Sequence, residues 1–214
     1  RVVFFHRDED PEGVNRIHAP VPGLTVEVLP SKGFSVGQTW KDDRPVFWKP
    51  PIGLCDLGRL DLHSPEVAVA GEPSPGFSFL KTFSGGIELY GLRNWGMPFR
   101  DPENGGLHPL HGETSNIPVE HCEVSIGRDK VAMTGVFIYR DMPLSSSSGG
   151  SDGSPEGGGQ VPGGKPQDAG GGQAGDPDSQ PWYRQGKELF RVERQVVLEW
   201  QGPRLRINDT ITHV

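Results

Sequence analysis

Apolar and polar positions alternate along much of this chain with the period of two that β-strands impose. Leu24-Thr25-Val26-Glu27-Val28-Leu29 predicts a half-buried strand, ended by Pro30 and Gly33. Phe34-Ser35-Val36 and Val46-Phe47-Trp48 predict short strands parted by polar turn residues, and Pro50-Pro51 breaks the second. Val2-Val3-Phe4-Phe5 reads as another strand, before the solvated acidic turn Asp8-Glu9-Asp10-Pro11-Glu12-Gly13; the remainder of residues 1–22 has no clear period. Residues 53–76 carry many Gly and Pro and read as a long loop, and Ile87-Glu88-Leu89-Tyr90 predicts a strand ending at Gly91.

From Val119 the pattern is regular. Cys122, Val124 and Ile126 alternate with His121, Glu123 and Ser125, and after Gly127-Arg128-Asp129-Lys130 come Val131, Met133, Phe137 and Tyr139. Two alternating runs about a Gly/Asp turn form an antiparallel hairpin. Its second strand also carries Ala132, Val136 and Ile138, as a strand covered on both faces does. A second hairpin follows. Phe190, Val192, Val196, Leu198 and Trp200 share one face against Arg191, Glu193, Gln195 and Glu199. After Gln201-Gly202-Pro203, Leu205, Ile207 and Ile211 alternate with Arg206, Asn208, Thr210 and Thr212. No helical period is sustained and no repeat is evident. The expected fold is therefore all-β and antiparallel, a sandwich or a related twisted sheet.

Composition changes this picture at one place. Residues 145–181 are rich in Gly, Ser, Pro, Asp and Gln, with Val161 the single branched apolar residue. Such a segment cannot bury enough apolar surface to offset its ordering entropy and is expected to be disordered. It either joins two domains or is inserted at a hairpin tip; the strand pattern resumes beyond it in the same style, which favours an insertion into one domain spanning residues 1–214. The formal net charge is -7 and the basic residues are scattered, which argues against nucleic acid or an anionic membrane as partner. No apolar run is long enough for a membrane span or a signal-peptide core. Arg1 stands where a start Met would, as in a chain cut or processed at its start. Cys55 and Cys122 form neither a disulfide framework nor a C-x-x-C zinc motif. Two reduced, partly buried thiols fit a cytoplasmic setting, with a single bridge between them left open.

Candidate chemistry concentrates in residues 83–118, where Glu88, Arg93, Asn94, His108, His111 and Glu113 sit among glycines. His111, between Leu110 and Gly112, is placed as an imidazole facing a cleft, although loop glycines around an ordinary surface histidine account for the same residues. Trp48, Trp95 and Phe99 could stack on a ligand ring, although ordinary core packing accounts for them too, more readily for Trp48 than for Trp95. His63, alone in its loop, reads as solvent-exposed.

Ordered pieces of the chain resemble the aldose 1-epimerase, or galactose mutarotase-like, superfamily, and most closely a bacterial branch of unknown function. They are Leu29-Pro30-Ser31-Lys32-Gly33-Phe34-Ser35-Val36-Gly37, Val46-Phe47-Trp48-Lys49-Pro50-Pro51-Ile52-Gly53, Phe83-Ser84-Gly85-Gly86-Ile87, Tyr90-Gly91-Leu92, Asn94 with Gly96, and Leu110-His111-Gly112-Glu113-Thr114-Ser115-Asn116-Ile117-Pro118. The resemblance implies an antiparallel β-supersandwich binding a monosaccharide in a cleft, without metal or organic cofactor. It implies anomer interconversion, in which an acid protonates the ring oxygen while a base takes the anomeric proton. His111 matches the family's histidine near the ring oxygen, as the expected catalytic and substrate-binding residue. Arg93 and Asn94 lie where relatives hold sugar hydroxyls. Glu88, Glu113 and Trp95 complete the expected substrate contacts, although neither glutamate matches the family's base. That base and a second histidine are expected beyond Val214, with His213 just ahead of them, so the chain is expected to be an incomplete N-terminal portion. A non-catalytic carbohydrate-binding or sugar-sensing module on the same fold is the alternative, and a structural β-sandwich with no ligand is a third reading.

Overall fold

The computed structural model describes residues 1–6, 10, 14–51, 53–54, 79–102, 107–141 and 182–214. The expected insertion at 145–181, Cys55, His63 and nearly all of the expected 53–76 loop lie outside the described residues.

Five strands run in chain order across the first sheet: β1 (Val3–Phe5), β2 (Arg16–Val21), β3 (Leu24–Leu29), β4 (Ser35–Lys41) and β5 (Arg44–Pro45). A single helical turn, α1 (Phe79–Thr82), and a two-stranded ribbon of β6 (Phe99–Arg100) and β7 (Leu107–His108) follow. The second sheet holds β8 (His121–Ile126), β9 (Lys130–Asp141), β10 (Lys187–Glu199) and β11 (Arg204–His213), in the order β11-β10-β9-β8. Every pairing is antiparallel. Asp141 pairs with Lys187, so the chain leaves and re-enters this sheet at one point.

The core lies between the sheets. Ile17, Ala19, Val26, Val28 and Val36 from the first meet Val131, Met133, Val196 and Leu198 from the second, all buried. A smaller cluster of Ile117, Phe137, Tyr139 and Val192 continues it toward the loops. The two hairpins and the all-β antiparallel class agree with the alternation in the sequence. β9 buries one face fully and half-buries Ala132, Thr134 and Ile138 on the other, so its second cover is partial.

Four local differences have physical causes. β2 carries the buried triplet Ile17, Ala19 and Val21, but His18 and Pro20 between them hide its period; Pro20 pairs with Thr25 and is exposed. β4 extends to Lys41, beyond the expected stop at Val36, because a β-bulge lets the strand continue with reversed alternation. Val46-Phe47-Trp48 is not a strand; pairing stops at Pro45, and Asp42 and Asp43 both take positive φ (48° and 62°) in the tight turn. Trp48 is 57% exposed rather than packed in the core. Ile87-Glu88-Leu89-Tyr90 makes one isolated bridge, Ile87 with Val36, rather than a strand. At Gly86 a Cβ would overlap the Val36 carbonyl oxygen, so only glycine lets this segment approach the edge so closely.

Candidate functional site

Two left-handed dipeptides shape the site. Gly91-Leu92 (φ 84° and 70°) and His111-Gly112 (φ 60° and 76°) dock against each other. The Gly91 amide donates to the His111 carbonyl at 3.1 Å, and the His111 amide to the Gly96 carbonyl at 3.1 Å. The Thr114 hydroxyl donates to the Gly91 carbonyl at 2.7 Å. Beneath them, buried Lys32 ties three segments: its Nζ donates to the Thr82 carbonyl (2.7 Å) and to Asn116 Oδ1 (3.1 Å). Leucine and histidine at positive φ are uncommon, and such conformations persist where surrounding structure enforces them, often at functional sites.

His111 is therefore presented by a rigid turn. Its Nδ1 lies 2.7 Å from the Trp95 carbonyl. A carbonyl only accepts, so Nδ1 carries the proton; the neutral ring then keeps its lone pair at Nε2. Aromatic rings surround the imidazole: Phe79 edge-on at 4.8 Å, Tyr90 at 5.7 Å and Trp95 at 5.9 Å. The Trp95 indole is 70% exposed, as a free stacking face would be. From Phe79 the aromatic row continues through Phe83 (5.4 Å) to Trp48 (6.1 Å, nearly parallel).

Glu88 lies behind this cage. It is buried and accepts from the Ser84 amide (2.6 Å), the Ser84 hydroxyl and the Tyr90 hydroxyl (3.0 Å). Burial, together with the charge of Glu88 and the hydrogen bond to it, pushes the Tyr90 phenol far above its ordinary value. Tyr90 thus stays a protonated hydroxyl, and Glu88 bears on His111 through it.

Asn94 braces the loop. Its Nδ2 donates to the Pro109 carbonyl at 2.6 Å, and its Oδ1 accepts from the Gly96 amide at 3.1 Å. Arg93 and Glu113 join a different cluster. Arg93 pairs with Asp141 at 2.9 Å. Glu113, 2% exposed, accepts from the Tyr139 hydroxyl at 3.2 Å, while its Oε1 has no hydrogen-bond partner among the described residues. Burial, reinforced by Glu113, pushes the Tyr139 phenol far up. His108 stands beside them, stacked on Phe99 at 4.5 Å and 3.8 Å from Asp101. Burial first, then the Arg93 cation, lowers the His108 pKa against the opposing pull of Glu113 and Asp101. The expected residues therefore divide. His111 and Trp95 are in contact, Glu88 stands one residue behind, and Arg93 and Glu113 belong to the buried cluster.

Sequence reasoning missed Phe79 and Tyr90 as cage walls, and Lys32 as the tie beneath. It also passed over Arg194, which shares the apolar face of β10 and is 2% exposed. Its forked guanidinium meets Asp209 with Nε–Oδ1 at 2.6 Å and Nη2–Oδ2 at 2.8 Å. A charge on an otherwise apolar strand face was the available signal. His213 packs edge-on against Phe190 at 5.6 Å. Cys122 is a free, half-buried thiol whose pKa is raised by burial. Among the described residues no three His, Cys, Asp or Glu side chains converge as metal ligands, and no helix is long and apolar enough to cross a membrane.

The architecture has counterparts among solved structures. A Klebsiella pneumoniae protein named as a candidate aldose 1-epimerase superposes with a TM-score of 0.51 at 12% identity, over 99% of this chain and 42% of its own. A galactose mutarotase-like protein from Clostridium acetobutylicum (TM-score 0.45, 11% identity, 100% of this chain and 49% of its own) and a galactose 1-epimerase from Lactobacillus acidophilus (0.41, 13%, 100% and 48%) are also similar. The chain thus spans less than half the length of these proteins, and the likeness to the Klebsiella protein shows a shared fold, the antiparallel β-sandwich described above. No curated protein sequence matches. A family model covers residues 11–144, more than half of the chain, including β2 to β4, the His111 turn and the first hairpin; the chain belongs to the family described as a domain of unknown function, DUF4432.

Proposed function

We propose that this chain is the sugar-binding part of an aldose 1-epimerase-like isomerase, with His111 facing the ring-oxygen side of a bound monosaccharide. One observation carries the reading: a turn at positive φ fixes the imidazole by Nδ1 within an aromatic cage, with no partner for Nε2 among the described residues. A sugar ring has an apolar C–H face and a polar rim. Trp95 offers the stacking surface, and Nε2 offers a proton acceptor when neutral or a donor when charged. Arg93 and Asn94 act in this reading by shaping the loop, and the reaction itself calls for proton transfers alone. A cytoplasmic setting belongs to the same proposal.

A binding-only module is the second reading, favoured by the carboxylates. Glu88 is engaged by Ser84 and Tyr90, and Glu113 is buried against Tyr139. Two-dimensional exchange NMR on a panel of aldoses separates the two. Faster α–β exchange with the chain, lost in His111→Ala, supports the isomerase. Sugar-induced shifts lost in that variant, without faster exchange, support the binding module. Neither effect would reject both.

A further inference from the structure

The outer face of the first sheet holds a second, differently built cleft. It has a cavity volume of about 150 Å³, lined by Arg16, His18, Glu27, Gln38, Trp40 and Trp48, among others. This is an order of magnitude above the roughly 10–15 Å³ that admits one water.

A backbone irregularity builds it. Val26 pairs with Thr39 but Val28 with Val36, so Glu27 faces one extra residue on β4. Without this bulge, Gln38 and Trp40 would follow Val36 into the core. With it, Thr39 turns inward and both side chains join His18 and Glu27 on the outer face. Glu27 stabilises the bulge by accepting from the Gln38 amide at 3.1 Å. A Cβ at Gly37 would overlap that carboxylate.

The charges of the floor are matched. Glu27, 4% exposed, accepts from Arg16 Nη1 at 2.9 Å and from His18 Nε2 at 3.0 Å, and Arg16 also pairs with Asp10. Burial pushes the Glu27 carboxyl up, but the bonds from His18 and Gln38 and the Arg16 charge outweigh it and hold the group low. His18 gives its Nε2 to Glu27, so Nδ1 is the ring nitrogen left to meet a ligand hydroxyl. Among the described residues, His18 Nδ1 and the indole N–H groups of Trp40 and Trp48 have no hydrogen-bond partner. The open groups are thus two aromatic faces, two indole donors and the second imidazole nitrogen, above the paired charges of Arg16 and Glu27.

We infer that this cleft is a second ligand site, separate from the His111 cage, for one neutral cyclic polyol of monosaccharide size. Such a ring stacks its C–H face on Trp48 and places hydroxyls against His18 Nδ1 and the indole N–H of Trp40. Arg16 and Glu27 pair with each other, and Lys49, which also lines the cleft, is engaged as well, so among the described lining residues a charged ligand finds no unpaired counter-ion. The row Trp48–Phe83–Phe79–His111 stands between the two sites.

The test follows the indole N–H signals of the full chain by 15N NMR during titration with D-glucose, D-galactose and myo-inositol. Trp48→Leu and His18→Gln change exposed or half-exposed side chains, so folding is retained, and each is compared with His111→Ala. Saturable Trp40 and Trp48 shifts are expected with at least one probe. They should weaken about two- to tenfold in His18→Gln, as for loss of one hydrogen bond, and persist in His111→Ala. No saturable shift with any probe, shifts unchanged in His18→Gln and Trp48→Leu, or shifts lost with His111 would overturn the inference. Because the cleft is read through Trp40 and the cage through His111, failure at one site is distinguishable from failure at the other.

Discussion

Replacing Gly112 with alanine tests whether the His111 turn is as tightly built as its geometry indicates. Gly112 (φ 76°) and Gly202 (φ 78°) share nearly the same positive φ. An added Cβ at Gly112 meets the Asn94 carbonyl oxygen at 3.0 Å and the Gly91 carbonyl oxygen at 3.1 Å, whereas at Gly202 it meets nothing within 4 Å. The left-handed conformation costs alanine about 1–2 kcal/mol. Loss of freedom in the unfolded chain returns roughly 0.4–1 kcal/mol of this. Gly202→Ala should therefore destabilise by about 1 kcal/mol or less. Gly112→Ala adds crowding against two backbone oxygens that are themselves fixed, about 1–3 kcal/mol more. Urea unfolding of both variants should show a gap of about 2 kcal/mol, and the Gly112 variant should also bind aldoses more weakly because its imidazole is displaced. Equal destabilisation of the two, within about 0.5 kcal/mol, would refute the packing argument; the unfolded-state contribution cancels between them.

Three further outcomes are expected. Arg194→Ala strands Asp209, which is 26% exposed, so urea unfolding should show a loss of about 2–3 kcal/mol, below the 3–5 of a fully buried pair. His108, with its lowered pKa, binds its proton more weakly in the folded state than in the unfolded one. Stability should therefore fall as pH drops below about 6.5, and His108→Gln should flatten that slope in denaturant titrations at stepped pH. Burial raises the Cys122 thiol, so iodoacetamide at mildly alkaline pH should modify it more slowly in the folded chain than in urea.

Strands that alternate apolar and polar residues were legible in the sequence: β3, and both hairpins of the second sheet. Legibility failed where one residue defeats the period. Pro20 and His18 masked β2, and the bulge opposite Glu27 reversed β4, so Gln38 and Trp40 gave no sign of facing outward. Val46-Phe47-Trp48 has the composition of a strand, but pairing ends at Pro45 and Trp48 instead joins an aromatic row at the surface. Within the site, the Leu-His-Gly context pointed to His111, yet the roles of its neighbours depend on contacts across the fold. Glu113 stands two residues from His111 but meets Tyr139 on β9, while Tyr90 and Phe79, more distant in sequence, meet the imidazole. Short spacing is a poor guide where two left-handed dipeptides turn the chain sharply.

The most direct test of the central claim is the imidazole of His111 itself, observed by long-range 1H–15N NMR and assigned with His111→Gln. The geometry predicts a ring that carries a proton at Nδ1, with an Nε2 resonance that moves saturably when an aldose is added. A ring with its proton on Nε2 and none on Nδ1, or an Nε2 signal unmoved by every aldose tried, would contradict the account.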